Sequence, residues 1–131
     1  MDGDGTAAQT ETNFGAGVTP TTINDPYGQI TWNNTDKDWD IGADGTYEVY
    51  ANLVFNVATT TLVTIKIKNG STAKNTYVNQ GIHSAEDPEH VGIQAVFTCS
   101  SGDTISVTFD DDGTTDVNLM AGSAVTIRRI Y

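Results

Sequence analysis

The sequence predicts an all-β fold, a sandwich or jelly roll of eight to nine strands, and three observations predict it. Thr (21), Val (11) and Ile (10) dominate the 131 residues, whereas Leu occurs three times and Glu and Lys four times each. Branching at Cβ suits a pleated strand and crowds the preceding turn of a helix, so this balance favours sheet and leaves helix nearly absent. From Gln29 onward, apolar and polar residues alternate with a period of two in short runs. Gly, Asn, Asp and Pro interrupt those runs, giving eight or nine strands in about 100 residues.

Residues 1–26 differ from the rest. They carry Gly, Thr, Asp and Ala, with Phe14, Val18 and Ile23 as the only sizeable apolar groups and no period of 2 or 3.6. A flexible or extended N-terminal arm is expected there, ahead of a folded domain spanning 27–131. Two fates of the arm stay open. Such composition commonly gives a disordered tail; alternatively the segment orders by lying on a neighbouring subunit or particle, with Phe14, Val18 and Ile23 as sparse anchors.

The strands are expected at 29–33, 39–41, 47–57, 62–68, 74–80, 91–99, 104–110, 117–120 and 123–130. The longest has Tyr47, Val49, Ala51, Leu53, Phe55 and Val57 on one face, which is core, and Glu48, Tyr50, Asn52, Val54 and Asn56 on the other. That second face mixes aromatic, amide and aliphatic groups. It is unlike a plain solvated surface and suits packing against another copy, which makes Tyr50, Asn52 and Val54 the candidate subunit contact. The next strand places Val63, Ile65 and Ile67 against Thr64, Lys66 and Lys68 and runs into Asn69-Gly70, the dipeptide that favours a type I′ hairpin turn. Val91, Ile93, Ala95 and Phe97 form another inward row. Ser101-Gly102-Asp103 then turns the chain into Ile105, Val107 and Phe109, a second hairpin. The closing strand faces Val125 and Ile127 inward, with Arg128 and Ile130 on the opposite side from Arg129.

Charge and cysteine usage bound the function. Asp+Glu 17 against Lys+Arg 6 gives a net charge of -11, which repels phosphate backbones and anionic lipid; neither nucleic acid nor membrane is an expected partner. No 18-residue apolar stretch exists, and MDGDGTAAQT has neither the basic start nor the apolar middle of an export signal. The lone Cys99 permits no internal disulfide; beside Phe97 in an alternating strand it reads as a small buried apolar residue. With 37% hydrophobic residues, a modest core is expected, and association of copies would supply further burial.

The order of these motifs resembles the trimeric jelly roll of the complement globular head and tumour-necrosis-factor superfamily, phage versions included. The likeness runs through Gly45-Thr46-Tyr47-Glu48-Val49, Ile67-Lys68-Asn69-Gly70, Phe97 to Val107 with its Ser101-Gly102-Asp103 turn, and Gly122-Ser123-Ala124-Val125-Thr126-Ile127, about 90 residues in all. Neither the collagen-like stalk nor the membrane anchor of the family is expected here, and the last strand reads Thr126-Ile127-Arg128-Arg129-Ile130-Tyr131 in place of a Phe-rich closure. The resemblance implies three copies around a threefold axis. The Thr-rich, Lys-poor composition, turned by Gly, Asn and Asp, is similar to that of bacteriophage virion proteins, both fibre tips and capsid decoration proteins. Fold does not by itself give function. A fibre tip normally follows a long shaft, and the short arm suits attachment to a shell, so the first expectation is a homotrimeric capsid decoration protein. It would bind the major capsid protein, stabilise the phage head and sit on the virion surface, with Phe14, Val18, Ile23, Arg128 and Arg129 as contact residues. A receptor-binding or glycan-binding fibre tip is the second expectation, and a non-viral calcium-binding trimeric jelly roll the third.

Chemistry is sparse. Asp36 to Asp44 starts like a calcium loop, but Ile41 stands at the sixth position where Gly is needed and Tyr47 at the twelfth where Glu is needed, so it is not that motif. Asp110, Asp112 and Asp116 form an acidic turn that could hold calcium, the one candidate ion; a solvated acidic loop is the commoner explanation, and no other cofactor is expected. His83 and His90 flank a Pro-containing loop without specifying a tetrahedral zinc site. No G-x-S-x-G elbow, phosphate-cradling loop or His-Glu-x-x-His pair occurs, and no enzymatic activity is expected. Tyr27, Trp32, Trp39, Tyr50 and Tyr77 are candidates for a sugar-stacking surface, though core and subunit contacts account for most Trp and Tyr.

Overall fold

The computed structural model describes residues 12–13, 28–57, 62–79, 88–111, 117–120 and 122–131, and every regular element among them is a strand. In chain order these are β1 (Thr12–Asn13), β2 (Ile30–Asn33), β3 (Asp38–Ile41), β4 (Gly45–Val57), β5 (Val63–Asn69), β6 (Thr72–Asn79), β7 (Glu89–Cys99), β8 (Thr104–Asp111), β9 (Val117–Leu119) and β10 (Ala124–Arg129). Nine of them answer to the nine expected runs. The tenth, β1, lies within the arm and pairs with β8 of its own chain, Thr12 opposite Phe109 and Asn13 opposite Thr108.

The strands form two antiparallel sheets, the jelly-roll sandwich expected. One runs β2-β3-β8-β5-β6, with β1 beside β8; the other runs β10-β4-β7, with β9 beside β4. β3, β4, β5, β7 and β10 alternate buried apolar residues with more exposed ones, so the two sheets bury their apolar sides against each other. Trp39, Tyr47, Phe55, Phe109, Leu53 and the isoleucines at 41, 65, 67, 105 and 127 are the largest fully buried side chains. Phe55 and Phe109 meet edge to face across the two sheets, ring centroids 5.5 Å apart. Among the described residues, twenty hydrophobic side chains are buried in this way. Tyr47, fully buried, satisfies its hydroxyl by donating to the Ala43 carbonyl at 2.8 Å. Cys99 is buried as expected, and burial, with the Asp103 carboxylate nearby, pushes its thiol up to about 11.

Local chemistry is distinctive at three places, and at the first of them it differs from expectation. The hairpin at Asn69-Gly70 exists, but Asn69 pairs with Thr72, so its central residues are Gly70 and Ser71. Gly70 has φ 55°, and among the described residues Lys37 is the only non-glycine with positive φ. One positive φ at the first central position fits a type II′ turn; type I′ needs two. Gly45 serves for space and not for turning. A Cβ there would come within 2.5 Å of the Tyr131 carbonyl and collide with Arg129, because the C-terminal residues cross directly over it. Third, one edge of β4 is shared by β10 along Tyr47 to Asn52 and by β9 along Phe55 to Val57. Ser123 fills the gap between them. Its Oγ accepts from the Val54 N–H at 2.9 Å and lies 2.9 Å from the Met120 carbonyl and 3.0 Å from the Val54 carbonyl.

Ser123→Ala leaves the Val54 N–H without its acceptor in a half-buried position. A loss of about 1–3 kcal/mol is expected, measured by urea unfolding of the folded variant. The high thiol pKa and burial of Cys99 predict a second outcome: no reaction with a thiol reagent at pH 8 until the chain is unfolded.

Candidate subunit interface on the four-stranded sheet

Antiparallel register sets which side chains share the outer face of the β10-β4-β7 sheet. Reading across the strands, one row is Arg128, Glu48 and Val96; the next is Thr126, Tyr50 and Gln94; the next is Ala124, Asn52 and Gly92; then come Val54 and His90. Ile130, whose N–H donates to the Thr46 carbonyl at 2.8 Å, extends the face at its other end. The sequence expectation for Tyr50, Asn52 and Val54 is thus met in placement: all three lie on this face, Tyr50 at 45% exposure. Three of the five exposed large hydrophobics, Tyr50, Val96 and Ile130, also lie here.

Tyr50 lies across the sheet. A Cβ at Gly92 would meet the Tyr50 hydroxyl at 3.1 Å and its ring carbons at 3.7 Å, so the absence of a side chain on β7 lets the phenol ring rest on the neighbouring strand. The result is a low, broad apolar shelf where most tyrosines would stand upright. Beside it, Arg128 Nε donates to Glu48 Oε1 at 2.7 Å. That bond, joined by one from the Gln94 side chain, holds the Glu48 carboxyl below its ordinary range.

The outer face of the six-stranded sheet is chemically different. On it the register places the polar Thr31, Asp38, Asp40, Thr64, Lys66, Lys68, Ser106 and Thr108, together with the exposed Val78 opposite Thr64. Ser106 and Thr108 are nonetheless buried, and Thr108 Oγ1 and Asp38 Oδ1 are enclosed without a hydrogen-bond partner.

The remaining candidates fall elsewhere. Phe14, Val18, Ile23, His83, Tyr27, Asp112 and Asp116 lie outside the described residues, and Asp110 is described only as part of β8. Among the described residues, no group of three His, Cys, Asp or Glu side chains is placed to hold a metal ion. The turn before Asp38 is closed by its own side chains: Asn33 Oδ1 accepts from the N–H groups of Thr35 and Asp36, and Asn33 Nδ2 donates to Asp36. Arg129 is an internal clamp; its guanidinium donates to the carbonyls of Asp44 and Tyr131 and to Gln29. Arg128 is paired with Glu48 on the sheet face. The aromatic residues do not converge on one surface. Trp39 is fully buried with Trp32 tilted against it, ring centroids 4.8 Å apart, Tyr77 packs against the core, and Tyr50 lies on the opposite sheet. Sequence alternation found Tyr50, Asn52 and Val54, but it could not find Gly92, Val96 or the Glu48–Arg128 pair, since these join the face only through the register of β4 with β7 and β10.

No family model and no curated protein sequence matches the chain. In structure it is similar to Eiger TNF from S. frugiperda, with a TM-score of 0.61 and 15% identity, over 82% of this chain and 72% of that one. The fold is therefore a TNF-like jelly roll, and at this identity the likeness is one of fold alone.

Burial, reinforced by Asp40 and Asp36, raises the Asp38 carboxyl above its ordinary 3.8. An acid whose folded pKa is raised destabilises the folded chain when ionised, and the penalty is relieved as pH falls. Asp38→Asn is accordingly expected to raise Tm at pH 7, the gain shrinking to nothing in melts below pH 3.8.

Proposed function

We propose that the chain is a structural subunit that acts by burial of surface: a homotrimer seated on the outside of a phage capsid, where it binds the major capsid protein and opposes expansion of the head. The observation that carries the self-association is the make-up of the outer β10-β4-β7 face, where Tyr50, Val96 and Ile130 are exposed beside a matched pair of charges. A chain of net charge -11 repels its own copies. The β10-β4-β7 face escapes this, because its two charged residues, Glu48 and Arg128, neutralise each other beside the shelf of Tyr50, Val96 and Ile130. Depletion of net charge with aromatic and aliphatic exposure is what the core of a protein–protein contact presents. The number of copies, three, rests on the family resemblance.

Attachment to a shell rests on the Thr-rich, Lys-poor composition shared with phage virion proteins and on the arm, whose Phe14, Val18 and Ile23 are the proposed anchors. Each head and arm would cover seams between shell subunits and add contact area without chemistry. A virion surface location follows from the same reading.

Sedimentation at micromolar concentration is expected to give a trimer, and Val96→Asp to give a folded monomer, since three added carboxylates meet in the contact. Deletion of residues 1–22 should leave the trimer intact and abolish its cosedimentation with phage particles. A truncated trimer that still binds host cells would replace the capsid reading with a receptor-binding one, and a stable wild-type monomer would remove the self-association.

A further inference from the structure

Glu48 sits at the centre of the proposed contact, and its surroundings are fully specified by three strands. From β10, Arg128 Nε donates to Glu48 Oε1 at 2.7 Å; from β7, Gln94 donates a further side-chain bond, while Val96 stands opposite without charge. Along β4 itself the neighbours on this face are Thr46 and Tyr50. Among the described residues the other titratable groups here are the Tyr50 phenol and His90. His90 lies two rows beyond Tyr50, roughly 20 Å from Glu48 along the strand direction, so it does not touch the pair. The face is therefore neutral only while Glu48 is ionised.

We propose that the Glu48–Arg128 pair is an acid-sensitive lock on the contact between copies, closed when both are charged and opened when Glu48 takes up a proton and leaves Arg128 unmatched in each copy. The inference rests on the reading of this face as the subunit contact and adds its regulation. Enclosed by a neighbouring copy, the matched pair retains its internal bond. An unmatched guanidinium in the same place is a desolvated charge without a partner, and around a threefold axis it is repeated three times.

The direction follows from the pair's own bonds. Arg128, then Gln94, holds the Glu48 carboxyl below its ordinary 4.5, so the lock is fully closed above pH 4.5 and is lost as pH falls through the lowered value. This opposes the general effect of acid on the chain. Neutralising the other carboxylates reduces the net charge of -11 and on its own draws copies together. A loosening on acidification that wild type shows and Glu48→Gln lacks therefore identifies this pair, whatever His90 on the same face contributes to both.

The test is sedimentation of the full chain from pH 7 down to the most acidic pH at which circular dichroism confirms that the sheet persists. Wild type is expected to associate at pH 7 and to loosen at least about tenfold once Glu48 is protonated. Glu48→Gln should be weaker at pH 7 and lack that loosening. Arg128→Gln should also be weaker at pH 7 but tighten as pH falls, because it leaves a lone carboxylate that acid neutralises. The double variant should regain association and hold it across the range. Wild type and double variant responding to acid alike, or Arg128→Gln loosening along with wild type, would overturn the lock. Failure of wild type to associate at pH 7 would instead remove the reading of the face on which the lock rests.

Discussion

The structure depends on the strict two-residue alternation of β4. Its 13 residues are central to the four-stranded sheet, with β7 on one edge and β10 and β9 sharing the other. Tyr47, Val49, Ala51, Leu53 and Phe55 are fully buried and supply the middle of the core. A slip of one residue would send them to solvent and bring Glu48, Tyr50 and Asn52 inside. The same constraint that builds the interior therefore dictates what the exterior presents, and the two cannot vary independently.

Where main-chain pairing runs out, single side chains complete it. Ser123 bridges the break between β9 and β10 along the edge of β4. Asn75 Nδ2 donates to the Gln94 carbonyl at 2.6 Å, joining the edge of β6 to that of β7 where the two sheets meet, and Lys74 lies over the Phe97 ring nearby. At the end of the sandwich that carries the Ser101-Gly102-Asp103 turn, Asp103 accepts from Asn69 Nδ2 and the Ser100 N–H, and Arg129 binds the segments around Gln29, Asp44 and Tyr131. These contacts replace the disulfides that a chain with one cysteine cannot form.

The two outer faces carry charge differently. Charges of both signs, Asp38 and Asp40 with Lys66 and Lys68, stay on the six-stranded side, whereas the four-stranded side holds one matched pair. The TNF-like jelly roll supplies the platform; the choice of residues on it supplies the proposed role.

Much of this was legible in the residues alone, for a physical reason. Side-chain direction in a strand is a local property, so alternation located the nine main strands, the buried row of β4 and the face bearing Tyr50, Asn52 and Val54. Turn residues located the β5–β6 hairpin and the turn after β7, since glycine conformation is also local, but the second is not the hairpin expected: it carries the chain from β7, beside β4 in one sheet, to β8, between β3 and β5 in the other. What only the tertiary structure decided were relations between distant segments. They include the closeness of Gly92 to Tyr50, the pairing of Arg128 with Glu48, the use of Arg129 as a clamp over Gly45, and the edge of β8 on which Thr12–Asn13 lies. Those depend on which strands are neighbours and in what register, and strand pairing is a contact between segments far apart in the chain, set by the packing of the whole sandwich.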